Sequence, residues 1–168
     1  MLTMRVFCGV ALFSVLAGCA SFDGRGLVPG RSTGAEVENL MGVPALRVAN
    51  ADGSSTWFFS RGPIARQTYA VSVGADGVMR GIEQRRTLAN VGKLVRRETT
   101  TQQARELFGP PDRIVRAARR PVDVWEYRML IVEEKRVLWI EFADDGRAEN
   151  VLEMHDAEFD GPSGPSMP

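Results

Sequence analysis

Thr33-Gly34-Ala35-Glu36-Val37-Glu38-Asn39-Leu40-Met41-Gly42-Val43-Pro44 stands 67 residues ahead of Thr100-Thr101-Gln102-Gln103-Ala104-Arg105-Glu106-Leu107-Phe108-Gly109-Pro110-Pro111, and the two stretches align without a gap. Each opens on a threonine that can cap a helix, and Glu36 or Gln103, three residues on, can reach back to the threonine amide. Val37, Leu40 and Met41 in the first copy, and Ala104, Leu107 and Phe108 in the second, fall at i, i+3 and i+4, which makes one buried stripe. Gly42 and Gly109 sit where a left-handed helix stop is wanted, and Pro44 and Pro111 prevent continuation. The pattern predicts two short helices with both ends written in.

Outward from each helix the period changes to that of strands. Residues 45–50, 55–60, 67–74 and 78–85 are separated by Asp52-Gly53, by Arg61-Gly62-Pro63 and by Asp76-Gly77. Residues 113–118, 122–129, 135–142 and 147–154 follow the second helix, and Asp145-Gly146 stands where Asp76-Gly77 stood. Asp-Gly steps favour tight hairpins, because glycine accepts a positive φ. Trp57-Phe58-Phe59 likewise matches Trp125-Glu126-Tyr127, the offset drifting only between 67 and 69. The fold expected from this is α+β, with two tandem repeats, each a short N-terminal helical segment followed by an antiparallel β-meander. The boundaries are 30–86 and 94–156, with a linker at 87–93. Neither repeat would bury much alone, so the two sheets are expected to pack or join.

The N-terminus carries a different signal. Arg5 and the apolar run 6–15 lead into Leu16-Ala17-Gly18-Cys19. About a dozen apolar residues would span roughly 18 Å as a helix, short of the roughly 30 Å hydrocarbon core, so the segment reads as a secretory signal. Residues 1–18 are the expected signal peptide, 19–29 a polar, glycine-rich tether, and 157–168 a tail without an apolar pattern, expected to be disordered. Cys8 would leave with the signal, and Cys19 is the other of the two cysteines, so no disulfide pair is expected. Removing Arg5 from the 21 basic residues leaves 20 against 21 acidic ones, a balance that gives no broad field for nucleic acid.

Leu16-Ala17-Gly18-Cys19 resembles the bacterial lipobox. That resemblance implies a cut before Cys19, diacylglycerol on its thiol and an acyl chain, typically palmitate, on its new amine. Ala20 and Ser21 follow in place of the aspartate that retains enterobacterial lipoproteins at the inner membrane, which implies the outer membrane. Gly30-Arg31-Ser32-Thr33, leading through Glu36-Val37 to Leu40-Met41-Gly42-Val43-Pro44, resembles the signature of the small protein A, or BamE-type, outer-membrane lipoproteins, also called SmpA/OmlA-like. Those accompany the β-barrel assembly machinery. The tandem arrangement is similar to the fold of the β-lactamase inhibitor proteins, whose two repeats join into a concave, aromatic-rich surface. These resemblances imply a lipid-anchored module facing the periplasm, bound to the membrane through Cys19. They imply an envelope protein partner, either a barrel-assembly subunit or a periplasmic enzyme.

Residues suited to catalysis are sparse. His155 is the only histidine, with Asp156 and Glu158 after it, and no further nitrogen or sulfur ligand is at hand for a metal. Glu133, Glu134 and Glu141 are the carboxylates that would serve an acid–base pair, or they decorate the solvated side of strands. The expectation is a non-enzymatic protein-binding module without cofactor beyond the covalent lipid, working in outer-membrane assembly or envelope integrity. The alternatives are an inhibitor-like binder of a periplasmic enzyme and a carboxylate-dependent envelope hydrolase. Trp57, Phe59, Trp125, Tyr127 and Trp139 lie on expected strands, where they either fill the core or stand on an open face as interface anchors. Arg113 and Arg116, with Arg119 and Arg120, form a basic cluster that either protects a sheet edge or meets an acidic partner or lipid A phosphates.

Overall fold

Eight strands and three short helices follow the chain in a computed structural model that describes residues 23–61 and 66–156. Helix α1 (Gly34–Met41) is followed by β1 (Leu46–Ala49), β2 (Ser55–Ser60), β3 (Thr68–Val73) and β4 (Met79–Gln84). Then come α2 (Leu88–Val91), α3 (Thr101–Phe108), β5 (Arg113–Arg116), β6 (Val122–Ile131), β7 (Glu134–Ala143) and β8 (Ala148–His155). The strands form two antiparallel sheets of four, β1-β2-β3-β4 and β5-β6-β7-β8.

The α+β class with helix-plus-meander repeats is thereby corrected. Strands take 45% of the described residues and helices 15%, so the protein is mostly β: two four-stranded sheets with a few short helices. The capping signals are genuine, since Thr33 with Glu36 and Thr100 with Gln103 each form a complete capping box. Yet Gly42 at φ 87° and Gly109 at φ 79° stop both helices after eight residues, while β6 and β7 each run for ten. Well-marked ends say where a helix is, not how much of the fold it makes. The expected linker at 87–93 contains α2, capped by the Thr87 hydroxyl. The two sheets do not join: β4 and β5 are each the edge of a separate sheet.

Packing follows the strand alternation. Phe59, Val71, Val73 and Met79 of the first sheet bury against Val37 and Met41 of α1. One position over on β2 and β3, Phe58 and Ala70 are buried on the opposite face. That face meets the second half of the chain, because a Cβ added at Gly109 would lie 3.0 Å from the Phe58 ring and 2.9 Å from Thr68 Cγ2. Ala104 and Phe108 of α3 bury against Trp125, Tyr127, Met129, Leu138, Ile140 and Phe142 of the second sheet. From Gly24 onward the expected tether also lies against the body: Leu27 packs on the first core, and Gly30 and Ser32 exchange backbone hydrogen bonds with Met79, both 2.8 Å.

The halves are joined by charge as well as by packing. Arg86 is wholly enclosed; its two terminal nitrogens donate to Asp112 at 2.7 and 3.0 Å, and to the carbonyls of Arg128 at 2.8 Å and Pro110 at 3.3 Å. Arg66, on the approach to β3, pairs with the buried Asp156 after β8 at 2.7 Å.

Candidate binding cleft

The face of the first sheet turned from α1 is only partly covered. Val48 on β1 stands opposite Thr56 on β2, and Thr56 and Phe58 alternate with Trp57 and Phe59, so the three floor an opening on that face. Gln103, Glu106 and Leu107 of α3 and the segment after α2, with Lys93, Val95, Glu98 and Thr99, form the other wall, and Arg85 closes one end. The cleft holds about 510 Å³, which falls in the size range of ligand pockets.

Its second wall is held in place by polar contacts. Asn90 donates from its side chain to the carbonyls of Arg85 at 2.8 Å and Leu107 at 3.2 Å, tying the end of β4 to α3. Lys93 Nζ donates to Asn90 Oδ1 at 2.8 Å. The Thr99 hydroxyl accepts from the Val95 amide at 2.8 Å, and Thr99 O accepts from the Ala148 amide at 2.9 Å, which pins the segment to β8. Two cations and two carboxylates ring a floor of mixed polarity, Val48 and Thr56 over the buried Phe58 ring. Such an arrangement suits a polypeptide segment with one or two apolar anchors and charges of both signs. Deeper in the same interface, burial pushes the Tyr127 hydroxyl well above the usual phenol range, against the opposing pull of the Arg86 guanidinium.

The aromatic residues divide between core and surface. Phe59, Trp125 and Tyr127 are buried; Trp125 lies 4.9 Å from Phe142, and Tyr127 lies 5.2 Å from Phe108, centroid to centroid. Those three are not open-face anchors, because their strand positions point at the helices. Trp57 is half-buried between Gly34 and the Arg47 guanidinium, which lies 4.2 Å over its ring. Trp139 is on the far face of the second sheet, where its indole N–H donates to Glu126 at 3.1 Å. There it lines a smaller pocket of about 200 Å³ with Arg113, Glu126, Met154, His155 and Asp156.

The basic cluster is matched by carboxylates of the same sheet. Arg113 pairs with Glu126 at 2.7 Å, Arg116 with Asp123 at 3.1 Å and Asp144 at 2.7 Å, and Arg120 with Glu141. Hydrogen bonds to Asp144 and then Asp123 hold the Arg116 guanidinium above its ordinary range. Glu134 pairs with Arg136 at 3.2 Å, and Glu133 is exposed in the β6–β7 turn. Seven residue steps along β7 separate Glu134 from Glu141, roughly 23 Å, beyond the roughly 5 to 10 Å that a glycosidase-type pair spans. Among the described residues no group of three or more His, Cys, Asp or Glu is placed to hold a metal ion. Cys19, the signal at 1–18 and the tail from 157 lie outside the described residues.

Sequence reasoning missed the cleft and the Arg86–Asp112 pair. The alternation on β2 was visible; which face would remain open depended on where α3 docked. Gln84-Arg85-Arg86 reads as a solvated charge run, and nothing local marks its last member as interior.

No protein-family model and no curated protein matches the chain. Among solved structures it is similar to a DUF4309 family protein (YjgB) from Bacillus subtilis, at 18% identity and a TM-score of 0.31, covering 78% of this chain and 83% of that one.

Proposed function

We propose that the chain is an outer-membrane lipoprotein, held by lipid on Cys19 and facing the periplasm, that binds an envelope protein without catalysing a reaction. The observation that carries the binding part is the 510 Å³ cleft, with Val48, Thr56 and Phe58 as its floor and Arg85, Lys93, Glu98 and Glu106 around it. The lipobox-like Leu16-Ala17-Gly18-Cys19 supplies the anchor. A binding surface tethered at a membrane finds its partner at a high effective concentration, so a modest cleft suffices.

A photocrosslinking residue in place of Glu106, in intact cells, tests the reading. Capture of a barrel-assembly subunit is expected, and Thr56→Arg, which fills the floor with charge, should abolish it. A soluble periplasmic enzyme as the captured species would move the reading to an inhibitor-like binder. Crosslinking unchanged by Thr56→Arg would remove the cleft from the proposal. Separately, Cys19→Ala should release the protein from the outer-membrane fraction, including after a high-salt wash that strips protein contacts.

A further inference from the structure

The chain enters the fold at Gly24, five positions after Cys19 in the sequence. A Cβ added at Gly24 would meet Ile82 Cδ1 at 2.6 Å, Leu27 Cδ1 at 3.5 Å and Met41 Sδ at 3.8 Å, so residue 24 is already seated on the first core. The Leu27 amide donates back to the Gly24 carbonyl at 3.0 Å, and Gly30 is bonded to Met79. Four residues, Ala20 to Asp23, separate Cys19 from that seat. Even fully extended, five Cα steps reach no more than about 18 Å, well short of the width of the folded body.

The same end of the molecule carries exposed apolar side chains. Val43, just past the stop of α1, is 88% exposed, and Val28 beside the seated Leu27 is 47% exposed. Met41 touches the Gly24 seat, and two Cα steps of about 3.8 Å each lead from it to Val43. Val43 is therefore within about 17 Å of the entry point, no farther than the spacer itself reaches. Arg25 stands beside the entry with its side chain 87% exposed, at 3.1 Å from Asp23. Two valines flanked by an arginine suit the boundary between headgroups and acyl chains, where apolar groups enter and a guanidinium meets phosphate.

We infer that the short spacer after an acylated Cys19 holds the surface formed by Arg25, Val28 and Val43 against the bilayer, so that the body sits flush on the membrane. The occupant of this surface is the lipid headgroup layer in which the anchor itself resides. The cleft, on the face of the first sheet turned from α1, then faces away from the α1 side. This inference rests on the acylation of Cys19 proposed above.

The lipidated full-length protein, reconstituted in vesicles of phosphatidylethanolamine and phosphatidylglycerol, gives the test. In the mature chain Val43→Cys and Asp145→Cys each supply a unique free thiol for a fluorophore; both positions are exposed, and Asp145 lies in the β7–β8 turn, whose Gly146 carbonyl meets the N-terminus of α3, whereas the opposite end of α3 at Gly109 meets Phe58, the residue that pairs with the segment after Val43. Quenching by headgroup-region spin-labelled lipid is expected at 43 and is expected to be lost at 145. Equal quenching at the two positions, or stronger quenching at 145, would overturn the inference. Inserting about 12 Gly/Ser residues before Asp23 extends the spacer to roughly 20 Å root-mean-square and should reduce quenching at 43 to the level at 145; quenching that survives the insertion removes the spacer as its cause. Mass spectrometry separates the two claims: a mature chain without acyl mass on Cys19 overturns the anchor and this inference with it, whereas an acylated chain with no quenching at 43 overturns this inference alone.

Discussion

Gly42 and Gly109 hold matching places after α1 and α3, and their surroundings set different costs for the same substitution. Both have positive φ, 87° and 79°, but nothing lies within 4 Å of a Cβ at Gly42, while one at Gly109 would strike Thr68 and Phe58. Gly42→Ala should therefore cost only the strain of a Cβ at positive φ with ψ at −163°, about 1–3 kcal/mol. Gly109→Ala should add overpacking against the other sheet, another ~1–3 kcal/mol. Urea denaturation of the two variants checks the order, and equal losses would show that the Phe58 contact relaxes freely.

At the scale of elements, the two capping boxes differ in one titratable atom. Glu36 accepts from the Thr33 amide at 2.7 Å, whereas Gln103 fills the same role for Thr100 at 2.8 Å. The Thr33 amide, and after it the Thr33 hydroxyl, hold the Glu36 carboxyl below its ordinary value of 4.5. A depressed folded value means that the cap's contribution is full above the unfolded pKa and is lost as the pH falls through the folded one. Acidification from about pH 7 to pH 3 should thus loosen the start of α1 and leave the start of α3 unaffected. Residue-resolved amide exchange would show it, and Glu36→Gln should remove the pH dependence.

The β6–β7 turn makes a second prediction at this scale. Val132 at φ 48° and Glu133 at φ 64° take the two left-handed positions of a two-residue hairpin, and Val132 is 89% exposed. That conformation favours Asn-Gly, so the double variant Val132→Asn, Glu133→Gly should stabilise the protein by about 1–3 kcal/mol. A melting temperature that does not rise would count against strain in this turn.

Local signals of this kind were legible: caps, glycine stops and strand alternation act within a few residues of the chain. The class was not, because nothing in a capping box bears on the length of the strands that follow. Nor was the cleft, since Phe58 and Phe59 look alike in sequence and only the docking of α3 tells the covered face from the open one. Trp125 and Tyr127 could be placed on strands, but their burial under α3 was one of two readings that the alternation allowed.

For the whole molecule the decisive contact is Arg86 with Asp112. Taking away one member of a buried pair leaves the other charge enclosed and unpaired, so Asp112→Ala should cost about 3–5 kcal/mol. Arg47→Ala, which breaks a surface pair with Glu38, should cost about 0–1 kcal/mol for that pair, plus a cation–π contribution of about 0.5–1 kcal/mol over Trp57. Because Phe58 against Gly109, and Arg86 against Asp112, tie the two halves together, both should melt in one transition in the native protein. Trp57 and Trp125 report the two halves separately, and unfolding midpoints that differ between the two fluorescence signals in single-tryptophan variants would refute the coupling.

Arg86 also imposes an order in time. Its guanidinium finds acceptors 26 residues away at Asp112 and 42 residues away at Arg128, and no water reaches it in the finished structure. Until those acceptors are in place the charge is better left in water. This predicts that the second sheet assembles around β6 before the first closes over Arg86, with docking of the halves a late event. A contact formed after the folding barrier governs how fast the molecule comes apart more than how fast it forms. Loss of Asp112 should accordingly shorten the lifetime of the folded state while leaving the speed of its formation nearly unchanged.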